Sequence, residues 1–296
     1  MEYIAHSVKQ NLAQSTVNGT ITAVVQAIAA TQGINLSDSV RLQTARRNFA
    51  KHRPRVARYD ATFDINKLLW LVKSWGSNSN LTIDKLRRKV IVLLKLDLMA
   101  RSDDIAKIFR HPKLFKINEA ELSLQLYRTK ECTELTTPIH VAAYPIDEAI
   151  CTVKAVHEYL ERTRSIAEDC VKLQIGGKEI HTCPLILRES DGTPLGSERI
   201  SKLTLQTMLE AGIESKFKSH ATRSAAISKA IAEGASMSRV QLHARMKSER
   251  VLHNHYLRVE TGNQVTSANS TDPLSHILRH SFSNPANQGP SFQQTN

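Results

Sequence analysis

A mainly α-helical protein with one small antiparallel β-sheet is the fold class the sequence predicts, on three observations. Apolar residues recur at spacings of three and four through "DINKLLWLVKSW" (64–75), residues 81–108, 146–167 and 197–213, and the segments after 219, which is the periodicity of a helix with one buried face. Between these stretches, "KLFKIN", "ELSLQLYRTKE" and "PIHVAAYP" alternate apolar with polar residues and predict strands near 114–118, 122–128 and 138–142. Glycines punctuate the periodic segments at their ends, as Gly212 and Gly234 do, where a left-handed residue closes a helix.

Taken in order, the chain opens with "TITAVVQAIAAT", whose Ile21, Val24, Val25 and Ile28 share one helical face. A basic run follows, containing Arg41, Arg46, Arg47, Lys51, Arg53, Arg55 and Arg58 without an acidic residue. It reads either as a linker that tracks phosphates or as the solvated face of a helix. From residue 81 the pattern then predicts a central buried helix that finishes at "MARSDD" and delivers Arg101 to the edge of the core, where a guanidinium is costly unless it meets an anion. Lys130 falls in the turn between the second and third predicted strands. After the helix at 146–167 the chain is irregular, with turns at Asp191-Gly192 and Pro194, and helices return at 197–213. "SHATRSAAISKAIAEG" (219–234) predicts a helix with Ser219 as N-cap, Gly234 as stop, and His220 and Arg223 in its first turn. Beyond Thr261 the composition turns to Asn, Gln, Ser, Thr and Pro, a polar tail (261–296) in which residues 272–280 predict a short helix capped by Asp272.

With 296 residues, 41% of them hydrophobic, the chain is long enough for a sizeable core. Forty Lys and Arg against twenty-eight Asp and Glu leave a net charge of +12, which favours a polyanionic partner over an acidic small molecule. Cys132, Cys151, Cys170 and Cys183 lack the paired spacing of a zinc site or a secreted disulfide scaffold. Neither a membrane-span-length apolar run nor a signal-peptide layout is present. The expectation is a protein inside the cell, in the nucleus if the host is eukaryotic, with no metal, no cofactor and no membrane partner.

The chemistry-bearing residues fall in a particular order: Arg101, Asp104 one turn later, Lys130, His220 and Arg223, and Tyr256. Of six tyrosines, Tyr256 is the only one after Tyr159, and it sits in "LHNHYLR" rather than on an apolar stripe. This order and spacing resemble the tyrosine recombinase (phage integrase) superfamily. "HATRSAAISKAIAEGASMS", "RPRVARYDATFD" and "LILRESDGTPLGSERISKL" are similar to recombinases of the DIRS and Crypton kinds from eukaryotic mobile elements. The resemblance implies a catalytic domain at 63–260, a basic linker at 53–62, and a partial, helical core-binding region at 1–52, shorter than a complete one. It implies a double-stranded DNA partner and self-association, a tetramer at synapsis, with residues 272–280 docking on a neighbour.

By that resemblance Tyr256 is the nucleophile of a 3′-phosphotyrosyl intermediate, Lys130 protonates the departing oxygen, His220 assists proton transfer, and Asp104 buttresses Arg101. Attack on a phosphodiester builds charge on its non-bridging oxygens, and two guanidiniums, Arg101 and Arg223, suit that charge without a metal or ATP. One position departs from the family pattern: Met246 stands where a histidine or tryptophan is usual, and methionine donates no hydrogen bond. His243 or Lys247 is the alternative donor. That departure and the short N-terminal region motivate one rival expectation, a catalytically impaired DNA-binding remnant of a mobile-element recombinase; a second rival is a helical scaffold for protein partners, its charge serving only solubility.

Overall fold

A computed structural model describes residues 6–7, 9–52, 61–130, 132, 134–257 and 259–260. The chain divides into two compact units, Met1–Arg58 and Tyr59–Asn296. In the first, helix α1 (Gln14–Gln32) packs on α2 (Val40–His52) through Val17, Ile21, Val25 and Phe49. The buried stripe therefore runs at a spacing of four, and Val24, expected on the same face, is 51% exposed. On α2, Ala45 and Phe49 point inward while Arg41, Arg47 and Lys51 are exposed; Arg46 donates to the Thr22 hydroxyl at 3.3 Å. Up to His52 the basic run is thus a solvated helix face. Arg53, Arg55 and Arg58 lie outside the described residues, as does the helix expected at 272–280.

The second unit is built on α4 (Ile83–Asp97), which follows α3 (Asn66–Ser74) and starts where the Thr82 hydroxyl accepts from the Lys85 N–H. Every residue of α4 from Leu86 onward is buried, and its charged side chains survive there because each finds a partner. Arg88 bonds Glu210 and Thr207 and lies over Trp75, and Lys89 donates to the Gly76 carbonyl at 3.1 Å. Around α4 pack α5 (Ser102–Ala106), α6 (Thr152–Arg162), α7 (Ser197–Glu210) and α8 (Ala221–Ala232). The chain then continues through α9 (Met237–His243) and α10 (Glu249–His255).

Strands β2 (Phe115–Ile117), β3 (Glu121–Leu124) and β4 (Ile139–Ala142) form the expected antiparallel sheet, with Leu124 opposite both Phe115 and Ile139. A hairpin not foreseen joins β5 (Val171–Ile175) to β6 (Lys178–Thr182) across Gly176-Gly177. Both glycines have positive φ, 55° and 75°, as a two-residue turn matched to strand twist requires. Ala61–Thr62 (β1) pairs in parallel with β7 (Val259–Glu260), so the first and last strands among the described residues meet beyond Tyr256.

The helix expected to finish at "MARSDD" (99–104) ends at Asp97, and its stop makes the site. The Ala100 N–H donates to the Lys95 carbonyl at 3.0 Å and the Met99 N–H to Leu96 at 3.1 Å, the two bonds of a Schellman stop with its left-handed residue at Met99, φ 45°. The same stop ends α9, where the Met246 N–H bonds the Gln241 carbonyl, the Arg245 N–H bonds Leu242, and Arg245 has φ 55°. Glycine takes this position in the stops after α7 and α8, at Gly212 and Gly234. A side chain there costs on the order of 1 kcal/mol, and both such residues border the site below.

Candidate active site

The C-terminal end of α4 presents the carbonyls of Asp97, Leu98 and Met99, which no helical N–H follows to satisfy. Three donors from distant chain cover them. The His243 Nε2–H bonds the Asp97 carbonyl, Arg245 Nη2 donates to Leu98 at 3.1 Å, and Arg223 Nη1 donates to Met99 at 2.7 Å. Cations suit this location because the helix dipole places its negative end there. Arg223 Nη2 also bonds the Ala244 carbonyl at the α9 stop, so its guanidinium clamps two helix ends together.

Asp104 lies at the centre. It is 1% exposed, accepts from the Arg101 backbone N–H at 2.8 Å, and lies 3.5 Å from both Arg223 Nη1 and Arg245 Nη2. Tyr256, the residue that ends α10, is half-buried; its hydroxyl receives Arg101 Nη2 at 3.4 Å, and its ring stacks on the Arg223 guanidinium at 5.3 Å. Its backbone is held by the Leu252 carbonyl and by the Ser228 hydroxyl at 3.2 Å.

The structure therefore brings Arg101, Asp104, Arg223 and Tyr256 together, and adds Arg245, which sequence reasoning missed. The Arg223 and Arg245 guanidiniums share the Asp104 carboxylate, and Arg101 meets it through its backbone N–H. Burial first, and then the neighbouring Arg101 and Arg245, push the Arg223 pKa down to about 10. Nε of Arg223 has no hydrogen-bond partner among the described residues. Guanidiniums gathered this closely are electrostatically suited to an anion.

The other expected residues sit differently. His220, not Ser219, is the N-cap position of α8; its side chain is exposed, and its carbonyl accepts the Arg223 N–H at 3.2 Å. Ser219 is buried and its hydroxyl meets Lys95 at 3.0 Å. Lys130 is exposed in the turn between β3 and β4, and no described contact joins it to Arg101, Arg223 or Tyr256. That turn is tied to α5 by Lys107, which donates to the Arg128 carbonyl at 2.8 Å. Met246 is 7% exposed and packs in the main core. His243 is committed to the Asp97 carbonyl, and burial pushes its pKa down to about 4; the neutral ring then has no proton on its other nitrogen. Lys247 is exposed. Arg245 carried one signal in the sequence, an arginine directly before the departing position in "LHARMKSER".

In fold the chain is similar to the Tn1549 transposon integrase in complex with transposon right end DNA, at 12% identity and a TM-score of 0.54 over 87% of this chain and 79% of that one. A second structure of that integrase, with a circular intermediate DNA, matches at 10% identity and the same TM-score and coverage. A lambda integrase tetramer bound to a Holliday junction matches at 15% identity and a TM-score of 0.50, over 90% of this chain and 65% of that one. No protein-family model and no curated protein matches the sequence. The helices around α4 with their small antiparallel sheet form the fold of a tyrosine recombinase catalytic domain. Among the described residues no group of His, Cys, Asp and Glu is arranged to hold a metal ion, and no helix is long and apolar enough to cross a membrane.

Proposed function

We propose that the protein is a site-specific DNA recombinase or integrase that cleaves and rejoins duplex DNA through a 3′-phosphotyrosyl bond at Tyr256, without metal or ATP. The observation that carries this reading is the Tyr256 hydroxyl at 3.4 Å from Arg101 with its ring on Arg223, because a nucleophile and two guanidiniums in one place are what in-line attack on a phosphodiester needs. Tyr256 Oη attacks phosphorus, the 5′-oxygen departs with a proton from Lys130, and Arg101 and Arg223 carry the charge that develops on the non-bridging oxygens. His220 assists the proton movements, and Asp104 and Arg245 orient the arginines. Attack by a second strand's hydroxyl reverses the step and frees the tyrosine.

Support for a DNA partner comes from the net charge of +12 and from the fold shared with integrases solved on DNA. The lambda integrase tetramer at a Holliday junction supports self-association at synapsis. In this reading residues 1–52 belong to a helical core-binding region, 53–62 are a basic linker, and 63–260 the catalytic domain; the tail supplies the docking segment. Kinship with DIRS and Crypton recombinases, and a nuclear location in a eukaryotic host, rest on the sequence segments alone.

A second reading, a DNA-binding remnant with impaired chemistry, is favoured by the burial of Met246 in the core, where it offers the phosphate no donor. Incubation with nicked duplex DNA followed by a denaturing gel separates the two. The enzyme gives a covalent adduct that Tyr256→Phe abolishes, while the remnant binds the duplex in a salt-sensitive way and gives none. Tyr256→Phe is expected to fold normally, since it removes one long hydrogen bond and keeps the ring.

A further inference from the structure

Lys95 is buried within the last turn of α4, and its amine donates to the hydroxyls of Ser102 and Ser219, each at 3.0 Å. The two serines also bond each other at 3.1 Å. Ser102 directly follows Arg101 in the chain, and Ser219 directly precedes His220, at the start of the helix that carries Arg223. One amine thus ties the two segments that bring arginines to the site, although they lie more than a hundred residues apart in sequence. Among the described residues no carboxylate bonds this amine. The charged groups it faces are Asp104 on α5, which favours its protonated form, and Arg223 on α8, which opposes it. Arg101 and His220 flank the two serines.

We propose that Lys95 is a positioning residue of this site, holding the Arg101 and Arg223 segments in register through Ser102 and Ser219 and gaining a proton when an anion occupies the arginine cluster. The inference rests on the reading of that cluster as a phosphodiester site. Its physical basis is electrostatic: burial disfavours the charged amine, and a phosphate bound beside Arg223 adds a negative charge that favours it. Burial holds its pKa down at about 7, so the unliganded site is poised between the two forms at neutral pH. Both forms satisfy the triad. The ammonium donates to both hydroxyls, and the neutral amine accepts a hydrogen bond from one of them.

The test is proton uptake on binding a duplex oligonucleotide, measured by calorimetry in buffers of differing ionisation enthalpy between about pH 6 and 9. Wild type is expected to take up a fraction of a proton, greatest just above pH 7. Lys95→Met is expected to lose that uptake and to bind about tenfold more weakly near neutrality. Lys95→Arg, which keeps the charge at all these pH values, should bind as tightly as wild type without the uptake. His220 is common to all three proteins, so their difference isolates Lys95. Duplex binding with the same uptake in wild type and both variants overturns the proposal and leaves the recombinase reading standing. Absence of duplex binding in wild type overturns the recombinase reading instead. Sulfate then serves as the anion, and its uptake profile, lost or retained in Lys95→Met, decides for or against Lys95. Should both Lys95 variants fail to melt cooperatively, Ser219→Ala decides: a shifted pH midpoint of uptake supports the tether, and an unmoved midpoint overturns it.

Discussion

Replacing Arg223 with methionine separates a guanidinium kept for an anion from one kept to pin the fold. Two opposing effects set the change in stability. The side chain is 1% exposed and its pKa has fallen from 12.5 to about 10, so its charge is disfavoured in the folded state by roughly 3 kcal/mol, which the substitution returns. Against this, the Met99 and Ala244 carbonyls lose their donors, at about 1–3 kcal/mol for each buried acceptor left unsatisfied. Asp104 keeps Arg245 at 3.5 Å and the Arg101 backbone N–H, so no uncompensated carboxylate remains. The net effect lies between a gain of about 1 and a loss of about 3 kcal/mol, a melting shift within roughly 10 °C for a unit of this size. Covalent adduct formation on nicked duplex should fall far more, by about 10²–10³-fold or beyond. Thermal melting and adduct yield on the same preparation check both halves. A variant destabilised by more than about 5 kcal/mol, or one that forms adduct at the wild-type rate, would refute the reasoning.

Asp97 and α2 carry two further expectations. The Asp97 carboxyl is 3% exposed, accepts from the Thr152 hydroxyl, and burial pushes its pKa up to about 7. The folded state therefore holds this proton more tightly than the unfolded chain between about pH 4 and 7, and stability falls as pH rises through that window. Asp97→Asn keeps the acceptor for Thr152; it should flatten that slope and be more stable at pH 8 by roughly 2–4 kcal/mol, and identical slopes in melts from pH 4 to 8 would count against a buried carboxyl. On α2, the exposed cations Arg41, Arg47 and Lys51 are candidates for phosphate contacts. Replacing all three with alanine should make the slope of log affinity for duplex against log salt shallower by up to about 2.7, with little change in melting; an unaltered slope would remove this face from the DNA interface.

Much of the secondary structure was written in local pattern. The helices at α3, α6, α7 and α8 follow from apolar residues at spacings of three and four, and the stops at Gly212 and Gly234 follow from glycine's access to positive φ. The β5–β6 hairpin was legible too, since "VKLQIGGKEIHT" places two glycines between alternating runs, but no strand was expected there. The order of Arg101, Asp104, Arg223 and Tyr256 was likewise visible along the chain.

By itself, then, the sequence determined the helical class, the position of the small sheet and the residue types at the candidate site, because each is written in the chain locally. Only the tertiary structure decided the rest. Met99 and Arg245 stop helices in a left-handed conformation that no local signal marks, because the energy that holds them there comes from contacts made by residues far away in the chain. Arg223 reaches the Met99 carbonyl across 124 positions and Arg101 reaches Tyr256 across 155. Such contacts form because exposed helix-end carbonyls and buried cations satisfy one another when the core closes, and no period in the sequence records which pair will meet.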